Sequence, residues 1–291
     1  MTLLLNTGLP LVGIYGILAI GYVVVYRSTG VLNFAHGGFM VLGGFLGYSM
    51  VKAGVVGVAV MALVVLVGLV VGWAFYRFLM RRMAGEEAWA PVLVTVGVGL
   101  FILVGVVQLI WSTHARQLDG NLGFANRSQD LIGGVSLSTM DLIVLLVFVF
   151  VWLGLLGFYR WSPLGIRMRA ASQDHHLAAY RSINIDLLFG MVWALAVGLA
   201  MFAGFSYGVE FRFEPAMAVL ALKAFPVALA GGMDSILGVG VAALVIGLGE
   251  AAVQIYIDSA LAEVLPFFVL LLVLMARPWG LFGTPEVVDR V

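Results

Sequence analysis

The sequence contains nine long apolar segments, which are separated by more polar stretches. The apolar runs are continuous, as in Leu142–Phe158, whereas transmembrane β-strands alternate apolar and polar positions. About 20 apolar residues suffice for a helix to cross the hydrocarbon core of a bilayer. The pattern therefore predicts membrane-spanning α-helices, at Leu9–Tyr26, Val31–Met50, Gly54–Phe78, Pro91–Trp111, Asp141–Tyr159, Leu187–Val209, Ala216–Gly231, Ile236–Tyr256 and Val264–Met275.

The seventh segment, Ala216–Gly231, is short and contains Lys223 and Pro226. A broken or re-entrant helix is tolerated at membrane depth where it is enclosed by protein or lines a cavity. The sequence thus predicts about eight or nine transmembrane segments. No internal repeat or linker is evident, so residues 1–291 are predicted to form a single transmembrane domain.

Composition supports the membrane assignment. Hydrophobic residues make up 63% of the chain and charged residues only 10%, compared with about 25% charged residues in soluble domains. The mean hydropathy is +1.12. The predicted fold class is therefore an all-α, polytopic helical bundle that lies in the lipid bilayer.

The distribution of arginines predicts the orientation, because short cytoplasmic loops are enriched in Lys and Arg. Basic residues concentrate after the third, fifth and last segments, at Arg77, Arg81, Arg82, Arg160, Arg167, Arg169, Arg181, Arg277 and Arg290. The opposite loops carry only Lys52, Arg116, Arg127 and Arg212. With nine spans, the N-terminus lies outside and the C-terminus in the cytoplasm. With eight spans, one end changes sides.

Two loops are long enough to have structure of their own: an outer loop at about residues 112–140 and a basic inner loop at about residues 160–186. In the inner loop, one apolar side of a short helix could be formed by Ala170, Ala171, Leu177, Ala178 and Ile183. Gly43 and Gly47, Gly68 and Gly72, and Gly204 and Gly208 are spaced four apart, which favours close helix packing.

Several kinds of chemistry have no counterpart in the sequence. There are no cysteines, and no phosphate-binding loop, zinc-protease motif or serine nucleophile elbow is present. His175 and His176 are adjacent, so they face different sides of a helix, which argues against a shared metal site. A formal net charge of zero gives no general attraction to nucleic acid. The chain is therefore predicted to be no enzyme, with no metal or cofactor of its own.

Polar residues within apolar segments are costly and so are candidates for function. Asn33, His36 and Gly37 open the second segment. They could form a bend that lines a substrate pathway, or they could make ordinary hydrogen bonds between helices.

Lys223 and Glu250 are the second pair of candidates. Lys223 could extend to the membrane interface or pair with Glu250 or Asp234, and Glu250 is either a buried hydrogen-bonded acid or a pathway carboxylate. Glu210, Arg212 and Glu214 are interpreted as a solvated turn.

Four motifs resemble the permease subunits of branched-chain amino acid ABC importers. They are Asn33-Phe-Ala-His-Gly37 after Gly21-Tyr-Val-Val-Val-Tyr26, Leu222-Lys-Ala-Phe followed by Ala230-Gly-Gly-Met-Asp-Ser-Ile-Leu-Gly238, Ile246-Gly-Leu-Gly before Glu250, and Arg277-Pro-Trp-Gly-Leu-Phe-Gly283. The motifs follow one another in the family's order along the whole chain.

The resemblance implies one of two membrane subunits, in a heterodimer, of an importer in the bacterial inner membrane. An external binding protein would deliver the amino acid, and two separate ATP-binding cassette subunits would dock on the cytoplasmic side. The inner loop would contain the coupling helix, with Arg167, Arg169, Ala170, Asp174, Ala178 and Asn184 in contact with the ATPase.

Two positions depart from the family pattern. Gly38 stands where many members have glutamate, and Arg181-Ser182 where many have Leu-Gly before the Ile-Asn pair. Related permeases transport urea or short amides, so the substrate class stays open at this point.

A different class is also compatible with the sequence, namely a self-contained secondary transporter driven by protons or sodium. Glu250, Asp234 and His36 would then form its ion relay. An intramembrane enzyme is disfavoured, because the spans contain no serine–histidine or metal constellation.

Overall fold

The computed structural model describes residues 1–87, 89–118, 122, 126–131, 133–166, 168 and 184–284. Its α-helices are α1 (Thr2–Thr29), α2 (His36–Lys52), α3 (Gly57–Phe78), α4 (Trp89–Val96), α5 (Val104–Trp111), α6 (Thr139–Trp161), α7 (Ile185–Glu210), α8 (Ala218–Gly231), α9 (Ile236–Tyr256) and α10 (Ser259–Ala276). A π-helical segment, Gly97–Leu103, joins α4 to α5, and two 3₁₀ turns span Met80–Met83 and Pro215–Met217.

Each of the nine predicted apolar segments overlaps a helix or, for the fourth, the continuous α4–π–α5 rod, but the predicted start of the second segment at Val31 is wrong, because residues 31–35 are not helical. Seven helical stretches in the described part of the chain are long and apolar enough to cross a membrane. The two shorter ones are α2, with 17 residues, and α8, with 14. The prediction of an all-α polytopic bundle is confirmed, and the seventh segment is indeed short, since a 3₁₀ turn precedes α8.

Consecutive long helices alternate in direction, so their ends form two faces of the bundle. The face at which α1 begins is called the N-terminal face, and the face at which α1 ends is called the C-terminal face. At the N-terminal face, the Asn6 side chain accepts a hydrogen bond from the Ser136 backbone N–H at 2.9 Å, and Ser138 donates to Glu210 at 2.9 Å. At the C-terminal face, Arg27 stacks over the Tyr159 ring. The N-terminal face thus carries the start of α1 and the C-terminal face its end.

The predicted long outer loop lies at the N-terminal face and contains a short hairpin. Strand β1 (Ser128–Asp130) pairs antiparallel with β2 (Ser136–Ser138). Ser138 then caps α6, because its hydroxyl accepts from the Asp141 N–H while the Asp141 carboxylate accepts from the Ser138 N–H. The hairpin therefore sets where α6 begins.

The helices differ strongly in burial. α1 and α7 are mostly enclosed by other helices, whereas α6 and α10 expose most of their apolar surface. Side chains such as Phe150 and Met275 are largely exposed, as expected for surface in contact with lipid rather than water. The two central helices therefore form the axis around which the rest of the bundle packs.

Glycines allow α2 and α7 to approach each other closely. A Cβ atom added to Gly43 would collide with the Met201 backbone, and one added to Gly204 would collide with the Met40 carbonyl oxygen. On the other side of α7, a Cβ atom at Gly68 would lie 2.7 Å from the Gly198 Cα. The expectation of close packing at the glycine pairs is confirmed at these positions.

Two helices of the bundle, α2 and α8, follow segments that are not α-helical. Residues 31–35 run back into the bundle in a non-helical conformation before α2 begins at His36, which is fully buried. Residues 211–217 similarly precede α8. A Cβ atom at Gly37 would meet the Ala218 backbone, so the first turns of α2 and α8 touch inside the bundle.

Substitution of Gly204 by alanine should destabilise the bundle, because the added methyl group meets backbone rather than a movable side chain. Overpacking of this kind typically costs about 1–3 kcal/mol. We expect a clear drop in the thermal unfolding midpoint of the purified protein in detergent. Gly105→Ala is the matched control, since no atom of the described residues lies within 4 Å of a Cβ atom there. An equal drop in both variants would contradict the packing argument.

Candidate functional site

A buried ion pair with a tyrosine partner occupies the interior between α1, α8 and α9. The Lys223 Nζ lies 3.2 Å from the Glu250 Oε1, and the Tyr15 hydroxyl donates to the Glu250 Oε2 at 2.7 Å. Glu250 is 6% exposed. Each carboxylate oxygen therefore has a donor, which is the condition under which a buried charge is tolerated.

The close packing of α1 on α9 places Tyr15 beside Glu250. A Cβ atom at Gly247 would lie 2.8 Å from the Val12 side chain, so the two helices are in near-backbone contact one turn away from the pair. Lys223 comes from the middle of α8. The sequence left open whether Lys223 extends to the membrane interface or pairs with Glu250 or Asp234. In the structure it pairs with Glu250, whereas Asp234 accepts hydrogen bonds from Thr284.

A cavity of about 420 Å³ leads from the N-terminal face to this pair. Its volume is in the range of small-molecule sites. Its polar and charged lining comprises Asn6, Thr7, Tyr15, Asp141, Tyr207, Glu210, Lys223, Glu250, Gln254, Ser259 and Glu263. Apolar walls are supplied by Pro10, Leu11, Ile14, Phe211, Leu220 and Ala262. Four carboxylates against one ammonium group give the cavity a negative balance.

Three aromatic side chains form a cluster next to Lys223 in sequence and space. The Tyr22 ring lies 5.5 Å from the Phe225 ring, which lies 5.5 Å from Phe34. The Tyr22 hydroxyl donates to the Ala221 carbonyl, two residues before Lys223. These contacts connect α1, α8 and the segment before α2.

Asn33 and His36 lie on the other side of Tyr22. The imidazole of His36 packs on the Tyr22 ring with centroids 4.6 Å apart. The Leu18 backbone interacts with this imidazole, but among the described residues neither ring nitrogen has a hydrogen-bond partner of normal geometry. Asn33 accepts from the Ala35 N–H at 3.1 Å, while its own amide nitrogen has no hydrogen-bond partner among the described residues.

Thr95 holds the non-helical segment in place. Its hydroxyl accepts from the Phe34 N–H at 3.1 Å and contacts the carbonyls of Leu32 and Val92. Backbone polar groups of the break are thereby satisfied by protein, as they must be at membrane depth. A Cβ atom at Gly38 would collide with Gly99 in the π-helical segment, so the same helix also closes the break sterically.

The structure brings the five predicted pathway residues into two neighbouring groups, Lys223 with Glu250 and Asn33 with His36 and Gly37. Of the predicted coupling residues, only Asn184 is described, and its side chain caps α7 by accepting from the Leu187 N–H. Five coupling residues lie outside the described part of the chain: Arg167, Arg169, Ala170, Asp174 and Ala178.

Sequence reasoning missed four residues that the fold adds to these groups: Tyr15, Thr95, Asp141 and Glu210. Tyr15 and Thr95 carry hydroxyls in the middle of apolar stretches, which was the available signal. The sequence predicts Glu210 in a solvated turn, but in the structure it lines the cavity, and its carboxylate accepts hydrogen bonds from Ser138 and Asn126. In the described residues, no group of three or more His, Asp or Glu side chains could hold a metal ion.

Removal of either partner of the ion pair should destabilise the protein, because the other charge is left without its counterion in the interior. We expect Lys223→Met and Glu250→Gln each to lower the unfolding free energy, and the double variant to lose less than the sum. The coupling energy should be about 0.5–3 kcal/mol. Tyr15→Phe should cost less, since it removes one hydrogen bond to a charged group, about 1.5–3 kcal/mol. Additive effects in this cycle would show that the pair contributes no interaction energy.

Comparison with known proteins identifies relatives of this chain over almost its whole length. Residues 4–274 match the family described as "Branched-chain amino acid transport system / permease component". The chain is 28% identical to the high-affinity branched-chain amino acid transport system permease protein LivH of Escherichia coli (strain K12), over 96% of this chain and 94% of the relative.

Two further relatives come from other organisms. The chain is 31% identical to the high-affinity branched-chain amino acid transport system permease protein BraD of Pseudomonas aeruginosa, over 97% of this chain and 96% of the relative. It is 26% identical to the probable branched-chain amino acid transport permease protein LivH of Methanocaldococcus jannaschii, over 92% and 88%. No solved structure matches. With its multi-pass helical bundle and a match over almost the whole sequence, the chain belongs to the family of permease components of branched-chain amino acid transport systems.

Proposed function

We propose that this chain is the membrane-spanning subunit of an ATP-driven importer for branched-chain or related hydrophobic amino acids. The observation that carries the proposal is the cavity at the N-terminal face, which combines an ion pair, further carboxylates and apolar walls. The relatives' names support the same substrate class, since they are described as branched-chain amino acid permeases. ATP hydrolysis belongs to separate subunits, because the sequence contains no phosphate-binding loop.

The cavity suits a zwitterionic amino acid with an apolar side chain. A lysine ammonium has three donors, and Glu250 uses one of those of Lys223, so Lys223 can also bind a substrate carboxylate. Asp141, Glu210 and Glu263 can accept hydrogen bonds from the substrate ammonium group. Leu11, Ile14 and Leu220 offer the apolar surface for the side chain. Selectivity is shared with an external binding protein that delivers the amino acid.

Transport then requires the aromatic cluster next to Lys223 to open. Phe34 lies in the non-helical segment before α2, whereas Tyr22 comes from α1 and Phe225 from the middle of α8. Breaks of this kind are typical of transporter pathways near the middle of the bilayer. Alternating access is a shift between two bundle states, biased by contacts that differ between them.

The arginines of the C-terminal face support a cytoplasmic position for that face, because the positive-inside rule favours basic residues there. The protein then lies in the cell's inner membrane, with the cavity open to the outside. The segment between α6 and α7, which includes residues 167–184, is the docking site for two ATP-binding cassette subunits. Its exit is anchored at α7, because Asp186 pairs with Arg81 at 2.7 Å and accepts from the Tyr76 hydroxyl at 3.1 Å. A second permease subunit completes the pathway as a heterodimer.

Lys223→Gln should impair leucine uptake by proteoliposomes that contain the assembled importer and its binding protein. A charged hydrogen bond is worth about 1.5–3 kcal/mol, so the concentration of substrate for half-maximal uptake should rise roughly tenfold or more. Lys52→Gln, which changes the only other lysine of the sequence, should leave uptake unchanged.

If Lys223→Gln left the substrate concentration for half-maximal uptake unchanged, the proposed contact between Lys223 and the substrate would be wrong. Leucine uptake by proteoliposomes that contain this chain alone, driven by an ion gradient and indifferent to ATP, would contradict the importer and favour the secondary transporter. Uptake of urea or acetamide in place of leucine would show that the substrate is a small amide rather than a hydrophobic amino acid.

Association with the ATPase should depend on the segment between α6 and α7. When the chain is co-expressed with neighbouring transporter genes, we expect an ATP-binding subunit to co-purify. The double substitution Arg169→Glu and Ala178→Glu should abolish this association, because it reverses one charge and places another on the apolar side of the predicted helix. Arg127→Glu, at the opposite face, should not. Retention of the ATPase by the double variant would place the docking site elsewhere.

A further inference from the structure

A second polar cavity, of about 340 Å³, lies at the C-terminal face of the bundle and is called the inner cavity. Its walls come from the ends of α1, α8 and α10, from the turn between α8 and α9, and from the residues that follow α10. The lining residues are Tyr26, Leu229, Met233, Asp234, Leu274, Pro278, Trp279 and Thr284. Among the described residues, Asp234 is the one charged side chain in this lining.

The inner cavity and the cavity at the N-terminal face are lined by the same sides of α1 and α10. On α1, Tyr15 lines the cavity at the N-terminal face and Tyr26 lines the inner cavity. The two tyrosines are eleven residues apart, which is about three helical turns, or about 16 Å along the axis. Glu263 and Leu274 have the same spacing on α10. The two cavities therefore lie in line with each other along these helices.

A contact between α1 and α8 lies at a level between the two cavities. The Tyr22 and Phe225 ring centroids are 5.5 Å apart. Tyr22 comes seven residues after Tyr15 and four before Tyr26, and Phe225 comes four residues before Leu229. Residues with these spacings share one side of a helix. The ring contact is therefore on the cavity side of both helices.

Residues 277–284, called the strap, fold back onto the end of α8 and form one side of the inner cavity. The Leu281 N–H donates to the Ala230 carbonyl at 2.8 Å, and the Phe282 N–H donates to the Gly231 carbonyl at 3.1 Å. Both carbonyls belong to the last turn of α8, where carbonyl groups have no partner within the helix. The strap thus supplies the donors that the end of α8 requires.

Two glycines let the strap approach the turn between α8 and α9. A Cβ atom at Gly280 would lie 2.7 Å from the Gly232 backbone, and the φ angles of these glycines are 83° and 109°. Trp279 and Phe282 of the strap remain 46% and 44% exposed. Since the strap is held by hydrogen bonds more than by buried apolar surface, it can detach without exposing much new apolar area.

Thr284 fastens the end of the strap to Asp234. The Asp234 carboxylate accepts hydrogen bonds from the Thr284 backbone N–H at 3.1 Å and from the Thr284 hydroxyl. Asp234 forms no ion pair with any of the described residues. Leu229, Met233 and Leu274 supply apolar walls beside it. The inner cavity therefore offers a carboxylate for an ammonium group and apolar surface for a side chain.

We propose that the inner cavity is the site from which a zwitterionic amino acid leaves the protein, and that the strap is the gate of this site. The proposal rests on the transport function proposed above. When Thr284 moves away, Asp234 binds the substrate ammonium group, and the apolar walls contact its side chain. Separation of Tyr22 from Phe225 connects the inner cavity to the cavity at the N-terminal face, in a second state of the bundle.

A reversible cross-link tests the gate, because the chain contains no cysteine of its own. The double variant Asp234→Cys with Thr284→Cys places thiols on two side chains that are in contact. Ser128→Cys with Ser136→Cys is the matched control, since these exposed hydroxyls are 3.1 Å apart in the hairpin at the opposite face. Both pairs are linked with a short bifunctional methanethiosulfonate and released with a reductant.

Leucine uptake is measured in proteoliposomes that contain the assembled importer, its binding protein and cysteine-free partner subunits. We expect the cross-link between positions 234 and 284 to stop the uptake that the reduced variant shows, and reduction to restore it. The cross-link in the hairpin should leave uptake unchanged. Full uptake with the strap cross-linked would overturn the gate.

Asp234→Asn tests the contact with the ammonium group. The amide oxygen can still accept from Thr284, but the charge is lost. We expect the maximal rate of uptake to fall roughly tenfold, the effect of losing one hydrogen bond to a charged group. The concentration for half-maximal uptake should not change, because capture occurs at the other face. Glu86→Gln, which removes an exposed charge at the same face, should change neither value. An unchanged maximal rate in Asp234→Asn would overturn the release site.

A labelling measurement on the detergent-solubilised full chain tests the gate without transport. Met233→Cys places a thiol in the lining of the inner cavity. Its reaction with a charged methanethiosulfonate should become roughly tenfold faster when Thr284→Val is added, because one hydrogen bond to the Asp234 carboxylate is removed. Equal labelling rates with and without Thr284→Val would overturn the gate. Absence of leucine uptake by the unmodified importer would contradict the transport function itself, and this inference with it.

Discussion

In hydrocarbon, a backbone N–H or C=O group without a partner costs several kcal/mol, and this constraint governs the whole structure. It requires continuous helices wherever the chain faces lipid, as in α6 and α10. It permits interruptions only where other helices enclose them. The break before α2 is closed by Thr95 and Asn33, whose side chains bind the backbone groups that the missing helical turn would have paired. Glycines at Gly38 and Gly99 then allow the enclosing helix to approach closely enough.

The same constraint explains where charge can enter the interior. Lys223 and Glu250 are tolerated because they neutralise each other, because Tyr15 satisfies the second carboxylate oxygen, and because a cavity brings the pair within reach of water. Breaking the pair leaves a buried charge, which is more costly than never having introduced one. A buried pair of this kind contributes little net stability, and its position in the lining of a polar cavity fits the ligand-binding role proposed for it.

The helix α7 connects the two ends at which the protein is proposed to act. It starts with Asn184 as its cap and with Asp186 held by Arg81 and Tyr76. It ends at Glu210, in the lining of the cavity. At 26 residues it is a rod about 39 Å long, packed through glycines against α2 and α3. In the proposed mechanism, this continuous helix is the element that would carry a displacement from its first turn to the cavity.

The sequence by itself determined the fold class and the position of each segment, because continuous apolar runs of this length have no other stable form in lipid. It also marked Asn33, His36, Lys223 and Glu250 as candidates, since polar groups in apolar stretches are costly. Only the tertiary structure decided that Lys223 pairs with Glu250 rather than Asp234, and that Tyr15, Asp141 and Glu210 join the same cavity. These choices depend on which helices are neighbours, and neighbours such as α1 and α9 are set by side-chain packing over more than 200 residues of sequence separation, which hydropathy does not encode.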